Sequence, residues 1–525
     1  MIGEGLVQSE KQKGFHRIIA NYGRLLATMA MGIATVPLQV AWLGMEGFGL
    51  LGLVGSSVGL GRMLQDMMRS SMVRELGAAW HNRKEENFKS SYASAFLISI
   101  GVSLLTALFF LGIILIIPYL RIKAEWVAPA QWITACEGLA TCIIVLASPA
   151  VNMLVVREFF FWHNLWTVVR RSSYLIATII PFLILQEENI IAGLHLFGTI
   201  VFMVNAIITV LVVIAFASLD HKMMPTCKGS TRETMSKVAG TFGWNSGVVV
   251  AMNLHERIAN FIMNLFFGLW GNAIFSLALR LVSYIRMATL GLTFGLDAVS
   301  ARISSTKSSG SLKRIFRHST RMHAFIAFPA MMIVFVFAEP LLRMWVGRSV
   351  SDPGTVLPQT EILVKIMVLG LACRAVSDGW MKLFYGAGFI HKYAPYVFTG
   401  GLFNPMLATL LIITLPKDIN YTGAAIAYSF VFLIVHAFLM PKVSAQSVKM
   451  SFREILSPAL KPLLIAFLIA PILFINEFPG RTGELNWLQV LLGVSCYGFV
   501  YVLMSWFVIL DAEERRGIFK LLRRL

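Results

Sequence analysis

"LLATMAMGIATVPLQVAWLGM", Leu25–Met45, runs 21 residues without an Asp, Glu, Lys or Arg. About 20 apolar residues coiled as a helix cross the hydrocarbon core of a bilayer. The run is therefore long enough to span, and it has company. Ser91–Leu120, Asn189–Leu219 and Leu485–Leu510 are equally free of those four residue types. The whole chain is 57% hydrophobic and 14% charged, where a soluble domain carries about a quarter charged residues. In lipid the backbone must satisfy its own hydrogen bonds. The expectation is an all-α polytopic membrane protein with about fourteen transmembrane helices.

Charge between the apolar runs alternates. Basic segments carry Arg74 and Lys89, Arg157, Lys228 with Arg232 and Lys237, Lys313 with Arg314 and Arg317, Lys382 with Lys392, and Lys442 with Lys449 and Arg453. Between them lie "LGMEGF", "QEEN", "GLWGNA" and "LPKDINYT", which are poor in Lys and Arg. The positive-inside rule assigns the basic set and both termini to the cytoplasm. The net charge of +18 is then a topology signal with some affinity for anionic lipid, and no nucleic-acid partner is expected. No Gly-Lys dipeptide occurs, which excludes a Walker A phosphate loop. The connections leave no room for a soluble catalytic domain, so an enzyme is not expected. Nothing suggests a metal, a cofactor or a disulfide framework among the five cysteines. The basic tail "EERRGIFKLLRRL" has the pattern of a short interfacial helix.

A weak internal repeat divides the chain. Gly44, Phe48 and Leu50 match Gly271, Phe275 and Leu277 at an offset of 227, and Gly193 matches Gly423 at an offset of 230. Equivalent positions six helices apart predict a parallel repeat. The expected segments are 1–16 cytoplasmic, a six-helix bundle at 17–218, a linker at 219–237, a second bundle at 238–441, an extra helix pair at 442–511 and the tail at 512–525.

"NYGRLLATMAMGIATVPLQVAWLGMEGFGLLGL" has a proline-bearing first helix followed by L-G-x-E-x-[FY]-G. "LQDMMRSSMVRELGAAWHNRKEENF" has the D-x-G and R-E-x-[AG] ends of the next element's pattern, with Met68 where the pattern has glycine, and "HERIANFIMNLFFGLWGNAIFSLALRL" has the acid, glycine and aromatic of a seventh helix. These segments resemble the polysaccharide-exporter, or O-antigen flippase, branch of the multidrug/oligosaccharidyl-lipid/polysaccharide (MOP) superfamily. The resemblance implies two bundles in a V-shaped arrangement. It also implies alternating access and a bacterial inner-membrane location. The substrate would be an undecaprenyl-pyrophosphate-linked oligosaccharide, moved from the cytoplasmic to the periplasmic leaflet. Other polysaccharide-assembly proteins and a coupling ion, proton or sodium, would be its further partners.

Such a substrate needs cations away from lipid, and arginine meets phosphate bidentately. Ionisable residues within spans usually face interiors. By depth, the substrate-binding candidates are Arg24, Arg62, Arg257, Arg280 and Arg286, and the ion-coupling candidates are Glu256, Asp66 and Asp378. Arg62 with Asp66, and Arg374 with Asp378, have the i, i+4 spacing of ion pairs within one helix. In "HERIAN" Glu256 is either a proton carrier or the counter-ion that allows Arg257 to be buried, and the second reading is favoured. Arg170 and Arg171 are expected at the interface, as are Trp270 and the tail. Trp244 could stack on sugars, and Pro37 with Gly32 is expected to bend the first helix. The competing readings are a lipid II flippase, a drug antiporter of the same superfamily and a membrane polymerase or ligase. An antiporter would want an acidic or apolar cavity, and a polymerase or ligase a large outer loop.

Overall fold

The protein is described from a computed structural model. The description covers 2–81, 85–185, 189–220, 224–240, 243–293, 295–305, 309–477, 487–509 and 515, with side chains omitted at 2–21, 69–71, 240, 243–245, 298, 305, 309 and 475–477. Trp244 and the tail, Arg515 apart, therefore lie outside the described residues.

The described residues are helical throughout, with no strand. The helices are α1 (Ile2–His81), α2 (Glu85–Ile116), α3 (Ala124–Leu146), α4 (Ser148–Val156), α5 (Phe160–Leu185), α6 (Ile190–Leu219), α7 (Arg232–Gly240), α8 (Gly243–Leu290) and α9 (Leu296–Ser305). They continue as α10 (Ser309–Val336), α11 (Ala338–Val346), α12 (Pro353–Ala387), α13 (Ile390–Thr414), α14 (Gly423–Phe432), α15 (Met440–Val448), α16 (Phe452–Leu468) and α17 (Trp487–Val508).

Among the described residues, twelve helical stretches are long and apolar enough to cross a membrane. Two of them are double. Tyr22–His81 has 60 residues and Ser246–Thr293 has 48, about 90 and 70 Å at ~1.5 Å per residue, against ~30 Å of hydrocarbon. Each is interrupted once, at Gly44 (φ 65°) and at Gly268 (φ 67°). Both halves of both helices exceed about 20 residues, so the protein is multi-pass and its described residues hold fourteen membrane-length segments. Pro37 does not interrupt α1; its first break comes seven residues later.

The two breaks share a chemistry. Each occupies a G-x-x-G, "GMEG" at 44–47 and "GLWG" at 268–271. The first glycine takes a left-handed φ that a Cβ disfavours. The second re-enters the helix against the residue just before the break. A Cβ on Gly47 would sit 2.6 Å from the Cβ of Leu43, and one on Gly271 would overlap the Cβ of Phe267. Gly44 thus corresponds to Gly268, and Gly47 to Gly271, at an offset of 224. The expected equivalence of Gly44 with Gly271 was one helical turn out of register.

The chain forms two compact units. Unit 1 is Met1–Ser276 with Ser349–Ser351 and Val397–Ala424. Its core joins Trp42, Leu50 and Val54 of α1 to Phe110, Trp126, Ile133, Phe197 and Leu269. A second cluster joins Met68, Met72 and Leu76 to Phe88, Tyr92, Val145 and Phe216. Met68, where the resemblance expected glycine, is wholly buried there. The first half of α8 and the turn that follows its break are bound into unit 1 by small residues and amides. Gly49 lies against the Leu269 carbonyl, Asn272 Nδ2 donates to the Gly49 carbonyl at 2.9 Å, and Asn260 Nδ2 donates to Ser56 Oγ. On α13, Gly401 lies on the Ala251 backbone, and Asn404 Nδ2 donates to the His255 carbonyl at 3.1 Å.

Unit 2 is Leu277–Arg348, Asp352–Tyr396 and Ala425–Leu525. Close contacts again rest on glycine. Gly386 lies on the Asp297 backbone, Gly379 on Ser319 and His323, and Gly370 on Ser429. The last two helices, α16 and α17, are tied to each other by Tyr497, whose hydroxyl donates to the Ala466 carbonyl at 3.0 Å.

Candidate functional site

Unit 1 gathers charge from four helices. Arg62, on the second half of α1, donates from Nη2 to Glu137 Oε2 at 3.2 Å and to the Tyr174 hydroxyl at 3.0 Å. Tyr174 in turn donates to Glu137 Oε1. Glu137 is 2% exposed and Arg62 22%. The carboxylate of this pair is sealed, while the arginine side chain keeps partial exposure.

Arg170 and Tyr174 are one turn apart on α5. Arg170 lies over the Trp166 ring at 4.5 Å and donates from Nε to Asn205 Oδ1 at 3.0 Å. Asn205 is itself oriented by its bonds to Ser173 Oγ at 3.0 Å and the Val201 carbonyl at 2.7 Å. Arg257, on the first half of α8, donates from Nε to Asn253 Oδ1 at 3.0 Å. Its guanidinium rests on the backbone of Gly59, where any Cβ would overlap Cζ, Nη1 and Nε. The absence of a side chain at 59 is thus what lets Arg257 lie there.

Arg62 lies within electrostatic range of Arg170, Arg171 and Arg257. Glu137 lies in range of Arg170 and Arg171, and Asp66 and Glu256 in range of Arg257. Four guanidiniums thus face three carboxylates, and one carboxylate, Glu137, is already occupied. Arg62, Arg170 and Arg257 are half-buried and Arg171 exposed. Such an arrangement can hold an anion.

Unit 2 holds a tighter cluster. Arg286 donates from Nε to Asp378 Oδ2 at 2.9 Å, and Arg374 Nη1 meets Asp378 Oδ1 at 2.9 Å. Ser377 Oγ and His436 Nδ1 share a hydrogen bond of 2.6 Å. His323 is buried on α10 and within electrostatic range of Asp378. The offset of 224 that relates the two breaks also carries Arg62 onto Arg286. Each arginine follows its break on the same helix and pairs with a buried acid on the fourth crossing of its half, Glu137 or Asp378.

Of the residues singled out in the sequence, Arg62, Arg257, Asp66 and Glu256 come together in unit 1. Arg286 and Asp378 come together in unit 2. Arg24 is half-buried on the first half of α1. Arg280 is half-buried in unit 2, in electrostatic range of Tyr284. The expected Arg374–Asp378 pair is present. Arg62 is different. Its salt-bridge acid is Glu137, while Asp66 is exposed and acts on it more weakly. Arg170, expected at the interface, belongs to the cluster. Glu137 and Tyr174 were missed. Glu137 is the only charged residue between Glu125 and Arg157, and a lone carboxylate within a span was itself a signal.

The MatE family model matches residues 249–410. A comparison with curated proteins found no match. Among solved structures, the lipid II flippase MurJ in an inward closed conformation superposes with TM-score 0.65 at 15% identity. The match covers 94% of this chain and 100% of that one. The chain has the fold of the MOP-superfamily transporters. An inward-facing multidrug resistance MATE family transporter of that superfamily gives TM-score 0.63 at 14% identity, over 81% of this chain and 95% of that one. A MOP superfamily transporter from Pyrococcus furiosus, described as having a binding pocket of reverse polarity, gives 0.57 at 13%, over 87% and 95%. Within this MOP fold, the MatE match begins on the first half of α8, six residues before His255, and ends on α13.

Proposed function

We propose that the chain is a flippase. It carries an undecaprenyl-pyrophosphate-linked oligosaccharide, an O-antigen or exopolysaccharide repeat unit, across the bacterial inner membrane. Both its termini are cytoplasmic, and it works by alternating access without chemical catalysis. The observation that carries this reading is the cluster of Arg62, Arg170, Arg171 and Arg257 within unit 1. A polyprenyl tail can remain in lipid. The diphosphate cannot cross hydrocarbon bare, because desolvating an ion is costly, and guanidinium forks replace its water. An organic cation would be repelled by the same cluster, which counts against the drug-antiporter reading.

Lipid II is the second substrate to weigh, since it presents the same diphosphate. The likeness to the lipid II flippase extends over 94% of the chain, while that to the multidrug transporter stops at 81%. The test is reconstitution into vesicles with a fluorescent prenyl-diphosphate oligosaccharide on one leaflet and, in parallel, with lipid II. The wild type is expected to move the first substrate. Arg257→Ala should slow it by more than about tenfold, with Arg257→Lys intermediate because charge survives and the fork does not. Movement of lipid II alone would shift the assignment to the second substrate. Full transport by Arg257→Ala would remove the cluster from the substrate path.

A further inference from the structure

An anion that grips Arg62 with two hydrogen bonds competes with the bonds this arginine makes to Glu137 and Tyr174. A guanidinium offers two edges from which two parallel N–H groups can grip a phosphate. One is Nε with Nη2, the other Nη1 with Nη2. Both edges include Nη2. In unit 1 that nitrogen already serves Glu137 and Tyr174, and Nε is buried. A phosphate that binds Arg62 bidentately must therefore draw an Nη2 hydrogen away from Glu137 or from Tyr174. Where it takes the hydrogen that served Glu137, that carboxylate, 2% exposed, keeps the Tyr174 hydroxyl and loses its ion pair. A sealed carboxylate without a cation is unfavourable, and taking a proton neutralises it.

The groups around Glu137 do not supply a substitute cation that seals against it. Asp66 shares α1 with Arg62 and would oppose a second negative charge. Arg170 and Arg171 on α5 and Arg257 on α8 act on the site from a distance and face the same incoming anion. Cys136 is its neighbour on α3. The titratable residues of α2, Glu85, Glu86, Lys89 and Tyr92, lie in its first turns, and the His195 of α6 stacks with Trp132. Unit 2 shows the contrast. Asp378 has Arg374 as a second, buried guanidinium on its own helix, so release of Arg286 would leave it paired.

We propose that binding of an anionic phosphate headgroup at Arg62 delivers a proton from water to Glu137, so that anion and proton enter the unit 1 site together. This rests on the reading of that site as a diphosphate site. Arg62 is the substrate contact and Glu137 the group that couples it to protons.

The experiment uses the full chain in lipid nanodiscs with inorganic pyrophosphate as the probe. Calorimetric titration in two buffers of different ionisation enthalpy gives the protons taken up per anion bound. The comparison is between wild type and Glu137→Gln, which keeps the shape and hydrogen-bonding reach of the side chain. The ligand's own protonation cancels in the difference. The wild type should take up about one proton more per site than the variant, and both should bind. Equal uptake in the two would overturn the coupling while leaving the anion site standing. Failure of the wild type to bind pyrophosphate would overturn both. A second readout needs no variant: the infrared carbonyl band of a protonated carboxylic acid should appear when pyrophosphate is added to the wild type. Its absence at saturating pyrophosphate would equally end the proposal.

Discussion

At the scale of single residues, spacing along one helix was a poor guide to partners. Arg62 and Asp66 have ideal i, i+4 separation, yet the arginine reaches across to Glu137, 75 positions away. The physical reason is burial. Asp66 is exposed, while Glu137 is sealed and its salt bridge among the described residues is to Arg62. A buried charge gains more from a partner than a solvated one does. Arg374–Asp378 obeyed the spacing because both ends are buried on the same face. Gly59 gives a clean test of the arginine beside this site. A Cβ at 59 meets only the tip of the flexible Arg257 side chain, so Gly59→Ala should shift that guanidinium without disturbing the backbone. Flipping should fall severalfold, while thermal stability stays within about 1 kcal/mol of wild type, as for changes that do not overpack a core. Unchanged transport would mean that the position of Arg257 is immaterial. Glu256 makes the complementary case. If it only balances Arg257, Glu256→Gln should leave the dependence of transport on a pH gradient intact. Loss of that dependence would make Glu256 the proton carrier.

At the scale of helices, the spans were legible because length and absence of charge are all a bilayer asks. The breaks were legible only in part. The repeat was found through G-x-x-x-F-x-L, whose Phe and Leu are core residues that many helices could supply. The constraint that makes the breaks is G-x-x-G, one residue for its φ and one for its lack of volume. Substitutions should separate these two roles. Gly44→Ala forces a side chain into the left-handed region and should cost about 1–2 kcal/mol. Gly47→Ala brings two Cβ atoms to 2.6 Å and should cost at least as much, about 1–3 kcal/mol, through overpacking. Gly55→Ala has open space around it and helical backbone, so it should be neutral or stabilise by up to about 1 kcal/mol. Melting of the purified protein in detergent would check the order. Equal effects at all three positions would show that the break does not depend on its glycines.

At the scale of the whole molecule, two counts can be checked together. Lys123 lies between the third and fourth crossings and is 57% exposed. Cys227 lies between the sixth and seventh and is an exposed free thiol. Three crossings separate them, an odd number, so the two residues must face opposite sides of the membrane whichever way the chain is inserted. The charges near Cys227, Lys228, Arg232 and Lys237, then choose the orientation and place it in the cytoplasm. Two single-cysteine proteins suffice, one retaining Cys227 and one carrying Lys123→Cys. The lysine's salt bridge among the described residues is an exposed one to Glu46, whose loss should cost no more than about 1 kcal/mol. In intact cells a membrane-impermeant thiol reagent should label Lys123→Cys and spare Cys227. In inverted vesicles the pattern should reverse. Labelling of both from one side would mean that one of α3, α5 and α6 does not cross the membrane. Opposite but exchanged labelling would keep these three crossings and reverse the protein. The substrate would then have to be loaded at Arg62 from the other leaflet.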